Sequence, residues 1–246
     1  MSSAVAIILA RAGSKGVPGK NLADIAGRSS IEWTIRAALE AVPHTSVFVS
    51  SDASPALAIA ERLGVGSIAR PPHLATDTAR IDDAARDAVL QLEARETVPV
   101  QADRGIVILY ANVPVRPSGL VARALTLMDD TRADSVQSYG GVGKFHPWWT
   151  ARLDRATGRV APWEGEVLNH NIFRRQDLPP AYVPDGAVLI VTRRALFLEV
   201  PGVTDGPHAF FGVDRRGIVN PEGSVIDIDT EEDLTLARLR MSTHVS

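Results

Sequence analysis

Near the C-terminal end of the chain, Asp227 and Asp229 alternate with Ile226 and Ile228 in the run VIDIDTEEDL. In an extended segment that spacing puts both carboxylates on one face and packs the isoleucines on the other. Two acids on one face repel unless a cation bridges them. Mg²⁺, which takes oxygen ligands and keeps several waters, is the natural candidate beside a phosphorylated substrate. A second set of chemical groups lies near the N-terminal end, where Arg11, Lys15 and Lys20 are interleaved with Gly13, Gly16 and Gly19. Glycines let backbone N–H groups approach a ligand closely, and the cations supply charge for a polyanion such as a triphosphate. The structural alternatives are a solvated basic turn at one end and a helix start at the other. Thr230 followed by Glu231, Glu232 and Asp233 is a good helix N-terminus. That accounts for Thr230 onward but not for the aspartate pair.

Both groups need a scaffold that brings them together. Ala4–Ala10 is apolar throughout and is too short to span a bilayer, so it reads as a buried strand that ends in the glycine loop. Ser29 and Ser30 precede apolar residues at helical spacing, which predicts a helix over roughly 30–42 with a capping serine. Val47–Val49 reads as a strand ending in Ser50, Ser51 and Asp52. Pro55–Leu63 reads as a helix with proline in its first turn and Gly64 at its C-cap. Ala69–Ala79 is a polar loop before a helix at Ile81–Leu92. Ile106–Tyr110 is the clearest central strand, Leu120–Met128 a helix and Ser135–Ser138 a strand. This alternation predicts an α/β, Rossmann-like three-layer fold with a mostly parallel central sheet. Ligands of such sheets gather at the carboxyl ends of the strands, where Arg11 and Asp52 lie.

Composition narrows the function. A chain of 246 residues holds one large α/β domain, and a formal net charge of −3 argues against a nucleic-acid-coating surface. The absence of cysteine removes disulfides, thiolate metal sites and cysteine nucleophiles, and agrees with a cytoplasmic protein. The N-terminal apolar run leads into a charged loop, so neither a signal peptide nor a membrane segment is expected. Neither GxxxxGK[ST] nor GxGxxG occurs in the glycine loop.

What the loop resembles is the signature of the sugar-acid cytidylyltransferases, the family that makes CMP-sialic acid and CMP-KDO. Leu9, Ala10, Arg11, Ser14, Lys15, Gly16, Pro18, Lys20 and Asn21 all match it, and DIDTEEDL at 227–234 matches the family's aspartate motif. The resemblance implies transfer of CMP from CTP to an acidic sugar, a sialic-acid-like nonulosonic acid, with release of pyrophosphate. It implies nucleotide binding by Ala10, Arg11, Ala12, Gly13, Ser14, Lys15, Gly16, Lys20 and Asn21, with Arg70 and Ala79 joining Asn21 in base recognition. Arg11, Lys20 and Asp229 become the catalytic residues, and Asp227 and Asp229 the Mg²⁺ ligands. Tyr110, Asn112, Arg116, Arg175 and Asp185 fall at acceptor-binding positions. Tyr110, Asn112, Val113 and Asp185 depart from the family's usual residues, which leaves open a different acid: KDO, another nonulosonic acid or a phosphonate. A non-catalytic nucleotide-binding module is the remaining alternative, and it predicts CTP binding without pyrophosphate release.

Between Gly140 and Pro184 the periodicity breaks into short runs rich in Gly, Pro and aromatic residues, including Trp148, Trp149 and Trp163. A loop of that length is usually functional, and aromatics are enriched at interfaces. The chain therefore reads as a single nucleotidyltransferase domain, 1–246, with 140–184 as an inserted excursion. Relatives of this kind use the corresponding insertion to form a homodimer, which the resemblance implies here. The histidines show no metal-ligand spacing.

Overall fold

The structure, a computed structural model, describes residues 4–13, 16–95 and 101–242. Its central sheet contains β1 (Val5–Ala10), β2 (Val47–Ser51), β3 (Gly66–Ala69), β4 (Gly105–Tyr110), β5 (Ser135–Gly141), β6 (Tyr182–Thr192) and β7 (Arg215–Val219), in the spatial order β7-β5-β6-β4-β1-β2-β3. The pairing is parallel except along β6, which runs antiparallel to both β4 and β5. The helices are α1 (Ser30–Leu39), α2 (Ser54–Arg62), α3 (Ile81–Ala94), α4 (Leu120–Thr131), the single turn α5 (Arg193–Leu196) and α6 (Glu231–Ser242).

Side-chain alternation along β1 separates two apolar layers. Ala4, Ala6, Ile8 and Ala10 pack with Ile31 and Ile35 of α1, Ala56 and Ala60 of α2 and Ala124 of α4. Val5, Ile7 and Leu9 face the opposite way, toward Ala85, Val89 and Leu92 of α3 and Phe210. A sheet with both faces covered explains why β1 and β4 read as continuous apolar runs. The three-layer architecture is the one expected from the sequence.

Several boundaries differ for identifiable reasons. α1 stops at Leu39, short of 42, because Pro43 disfavours helical geometry at Val42. Ser29 occupies its N-cap without a side-chain cap bond, and Ser30 Oγ instead donates to the Ala111 carbonyl at 2.6 Å. β3 escaped the sequence reading because a four-residue Gly-Ser segment has no period of its own. Its pairing with β2 creates it, and Gly66 is required there, since a β-carbon would lie 2.1 Å from the Phe48 ring. β5 and β6 extend through Gly141 and back to Tyr182, so both ends of the expected 140–184 excursion are strand residues. The part outside the main sheet contains short 3₁₀ turns and a hairpin, Ala151–Leu153 with Val160–Pro162.

A third, smaller apolar cluster lies outside the two layers. Val17 and Ile25 from the N-terminal loop meet Val115, Ile226 and Ile228, together with Leu234, Ala237 and Met241 from α6. It is the packing that joins the two ends of the chain. Ile228 is fully buried in it, so Ile228→Ala is expected to cost about 2–5 kcal/mol in a urea denaturation series. A loss below about 1 kcal/mol would show that this cluster is not a packed unit.

Candidate functional site

β1 ends where the glycine loop begins, and β2 supplies the groups that shape it. Ser51 Oγ donates to the Ala10 carbonyl at 2.5 Å, the Ala12 N–H donates to Asp52 Oδ1 at 2.7 Å, and Asn21 Nδ2 donates to the Arg11 carbonyl at 2.9 Å. Gly19 sits in the left-handed region at φ 70°, reversing the chain into the turn Lys20–Leu22. Ser14 and Lys15 lie outside the described residues.

The loop then touches the far end of the chain. Lys20 Nζ donates to the Ile228 carbonyl and to Asp229 Oδ1, each at 2.6 Å. Close approach requires glycine at position 16, where a β-carbon would lie 2.2 Å from the Asp229 carbonyl oxygen. The expected alternation holds at the aspartates without a regular strand. Ile226 N–H donates to the Val115 carbonyl and Ile228 N–H to the Asn112 carbonyl, and these two bonds hold the segment extended. Ile226 and Ile228 are buried, Asp227 is half-buried and Asp229 is exposed.

One cavity of about 310 Å³ collects half of the residues singled out from sequence: Arg11, Gly13, Lys20, Asn21, Arg70, Ala79, Tyr110, Asn112 and Asp227. Arg70 is buried and anchored to β2, donating to Ser50 Oγ at 3.2 Å and to the Ser50 carbonyl at 2.7 Å. Burial pulls its guanidinium below the usual range, while Asp52 and Asp87 oppose that. Asn21 lines the cavity, and its Oδ1 is buried with no hydrogen-bond partner among the described residues. Arg11 Nη1 reaches Asp77 Oδ1 at 2.5 Å, drawing the loop before α3 toward the glycine loop. Asp52 and Asp77 have these roles only through contacts distant in sequence.

Asp227 accepts a hydrogen bond from Asn112 Nδ2. Burial first, and then the neighbouring Asp229, push its carboxyl up to about 6, against the opposing pull of Lys20 and Arg116. The shift is chiefly that of a desolvated carboxyl, with the repulsion of a second acid added to it. Among the described residues no group of three or more His, Cys, Asp or Glu side chains converges on a metal position. Asp227 and Asp229 are hard oxygen donors of the kind Mg²⁺ takes, and Asp229 is at present paired with Lys20.

The other residues expected at the acceptor lie elsewhere. Arg116 is committed to the scaffold, donating to the carbonyls of Ala187 (2.7 Å), Tyr110 (2.9 Å) and Val113 and to Thr34 Oγ1 (3.0 Å). Burial lowers its guanidinium to about 9, so it stays cationic at neutral pH. Asp185 is likewise occupied by Ser138 Oγ at 2.5 Å, the Ala187 N–H at 3.1 Å and Asn220 Nδ2 at 2.7 Å. Arg175 pairs with Glu222 at 3.1 Å and lines neither this cavity nor the next.

A second cavity of about 640 Å³ adjoins the first, and Ala79, Arg80, Ile81 and Tyr110 line both. Its other walls include Gln137, Tyr139, Phe210, Phe211, Arg215 and Arg216. Burial and the Asp227 charge push the Tyr110 phenol up to about 12, so it remains neutral and able to donate. Sequence reasoning passed over Arg80, the Phe210–Phe211 pair and Arg215. The only local signal was an aromatic pair followed by two arginines.

Residues 5–109 match the family model described as cytidylyltransferase. The chain is 29% identical over 233 residues to an N-acylneuraminate cytidylyltransferase of Streptococcus agalactiae, an alignment covering 93% of this chain and 51% of that protein. The chain thus spans about half the length of the streptococcal relatives it matches. It is 26% identical to a pseudaminic acid cytidylyltransferase of Campylobacter jejuni, covering 95% of this chain and 94% of that one. It is also 27% identical to a CMP-N,N'-diacetyllegionaminic acid synthase of Legionella pneumophila, covering 96% and 95%. Among solved structures it superposes on a CMP:2-keto-3-deoxy-manno-octonic acid synthetase complexed with CTP, with a TM-score of 0.68 and 19% identity over 99% of this chain and 100% of that one.

The raised Asp227 carboxyl has a consequence for stability. Because ionisation is harder in the folded state, its contribution is fully present below the ordinary carboxylate value of 3.8 and is lost as pH rises through about 6. In metal-free protein, the wild type should lose thermal stability relative to Asp227→Asn between about pH 4 and about pH 7. Parallel melting curves for the two proteins across that window would show that Asp227 is not desolvated.

Proposed function

We propose, from the match of residues 5–109 to the cytidylyltransferase family model, that the whole chain transfers CMP from CTP to an acidic sugar and releases pyrophosphate. The observation that carries this reading is the 2.6 Å contact between Lys20 and Asp229, which closes the glycine loop onto the aspartate pair beside one cavity. Nucleotidyl transfer needs that juxtaposition, because the cations must meet the phosphates where the carboxylates meet the metal.

In this reading the first cavity holds CTP. Asn21, Arg70 and Ala79 take the base and ribose, while Arg11, Lys20 and the glycine-loop N–H groups hold the phosphates together with Ser14 and Lys15. Asp227 and Asp229 would hold Mg²⁺, which when bound withdraws electrons from the α-phosphate and the leaving pyrophosphate. The acceptor hydroxyl oxygen bonds to the α-phosphorus, the bond to the bridging oxygen of the β-phosphate breaks, and the hydroxyl proton is released. Lys20 and Arg11 neutralise charge on the phosphate oxygens as the leaving group departs. The shared wall of the two cavities lets the acceptor lie next to the nucleotide without a gap, which supplies the orientation that in-line attack requires.

The second cavity seats the acceptor. Its aromatic and cationic lining suits a substituted sugar acid, and the relatives named for N-acylneuraminate, pseudaminic acid and diacetyllegionaminic acid point to the same class. The occupied state of Arg116 and Asp185 moves the acceptor away from those side chains and toward Tyr110, which lines both cavities.

A homodimer is part of the proposal. Phe145, Trp163 and Phe173 are exposed in the excursion, Phe173 at 94%, and large aromatic side chains of this kind are enriched at interfaces. A cytoplasmic location agrees with the cysteine-free sequence. The single domain with its excursion then forms one catalytic unit per protomer.

Pyrophosphate release from CTP should appear with at least one acid in a panel of N-acetylneuraminate, pseudaminate, diacetyllegionaminate and KDO, and Lys20→Ala should lower it by about a hundredfold or more. CTP binding without pyrophosphate release for every acid would favour a binding module instead. Light scattering should give twice the mass of one chain, and Phe173→Ser with Trp163→Ser should shift it toward the monomer. An unshifted dimer would place the interface elsewhere.

A further inference from the structure

Four residues line both cavities, and of Ala79, Arg80, Ile81 and Tyr110 only Arg80 carries a charge. Its guanidinium is held in place. Nε donates to Asp82 Oδ1 at 3.0 Å and Nη2 to Asp82 Oδ2 at 2.8 Å, while Nη2 also reaches the Pro207 carbonyl at 3.2 Å. Asp82 is a firm anchor, since its side chain is 2% exposed and it also pairs with Arg86 at 2.9 Å. Arg86 is tied in turn to Asp83 at 2.8 Å and to the Leu196 carbonyl at 2.6 Å. Among the described residues, none of the Arg80 bonds uses Nη1. The result is a planar cation oriented before any ligand arrives, with donor capacity left over.

The chemistry of the acceptor says where its carboxylate must lie. In a 2-keto sugar acid the anomeric hydroxyl is attached to the carbon next to the carboxylate. The hydroxyl has to face the α-phosphate, so the carboxylate must sit at the junction of the two cavities and not deep in the second. The other cations lining the second cavity do not meet that condition. Arg215 lines only that cavity and donates to the Gly212 and His208 carbonyls, at 3.0 and 3.2 Å. Arg216 also lines only that cavity and pairs with Asp214 at 2.7 Å. Arg11 and Lys20 belong to the glycine loop and the phosphates.

Resting on the functional reading above, we propose that Arg80 is the specificity-determining residue that receives the acceptor's carboxylate and thereby aims its hydroxyl at the nucleotide. A charge-assisted bond from an already immobilised guanidinium loses little side-chain entropy on binding. It also explains a preference for acids over neutral sugars that the glycine loop and the aspartate pair cannot supply, since both act on the nucleotide.

The test uses the acid of the panel that gives the fastest pyrophosphate release, together with its carboxamide. Arg80→Gln should raise the KM for the acid about tenfold to a hundredfold, as loss of a charge-assisted hydrogen bond implies, and leave the KM for CTP within about twofold. Arg80→Lys, which keeps the charge without the planar fork, should recover part of the loss. The carboxamide should be a much poorer acceptor than the acid for the wild type, and that gap should narrow in Arg80→Gln. An unchanged KM for the acid, or an equal rise in the KM for CTP, would overturn the assignment of Arg80 while leaving the cytidylyltransferase reading intact. A wild-type protein that releases no pyrophosphate with any acid would overturn both.

Discussion

The structure depends on holding a lysine from the N-terminal loop against an aspartate that lies 209 residues further along the chain. A single ion pair could not do this alone. Asp229 is exposed, and such pairs contribute little once solvent screening and side-chain ordering are counted. The force comes from the apolar cluster beneath them, where Val17 and Ile25 are buried with Ile226, Ile228 and three residues of α6. Burying each large aliphatic side chain is worth about 1.5–3 kcal/mol, enough in sum to close a long loop whose entropic cost rises only slowly with length. The Lys20–Asp229 contact is thus placed by packing, and the charges inherit the geometry.

The same arrangement explains the state of the aspartates. Asp227 is caught between the buried isoleucines that flank it, and it is desolvated as a result. Asp229, one residue beyond Ile228, emerges into solvent and meets Lys20. One carboxyl is therefore hard to ionise, while the other is paired with Lys20. The β-bulge in β6 between Pro184 and Leu189 belongs to this arrangement too. It places Gly186, at φ 73°, against Asp227 and Tyr110, where a β-carbon would lie 3.4 Å from Asp227 Oδ2.

Around this junction the two faces of the molecule do different jobs. The α3 face of the sheet carries both cavities, and the start of α3 forms the wall between them. Arg116, expected at the acceptor, is used structurally, its donors filled by the carbonyls of Ala187, Tyr110 and Val113 and by Thr34 Oγ1. Arg80 lies at the boundary and is only partly committed. How far neighbouring groups fill the donors distinguishes the two arginines, even though both flank Tyr110 in sequence or in space.

The sequence by itself determined the layered α/β architecture, because apolar runs, glycine breaks and helical spacing are local patterns imposed by backbone geometry. It also determined the glycine loop and the aspartate pair, since close backbone approach and paired carboxylates each demand particular residue types at fixed spacing. Only the tertiary structure decided what Arg116, Asp185 and Arg80 do. An arginine or aspartate has the same chemistry on paper whether its donors and acceptors are filled by carbonyls or left for a ligand, and the partners that fill them come from distant strands. Edge strand β3 and the second cavity belong to the same category. Neither has a local pattern, and both exist only because segments remote in sequence are packed side by side.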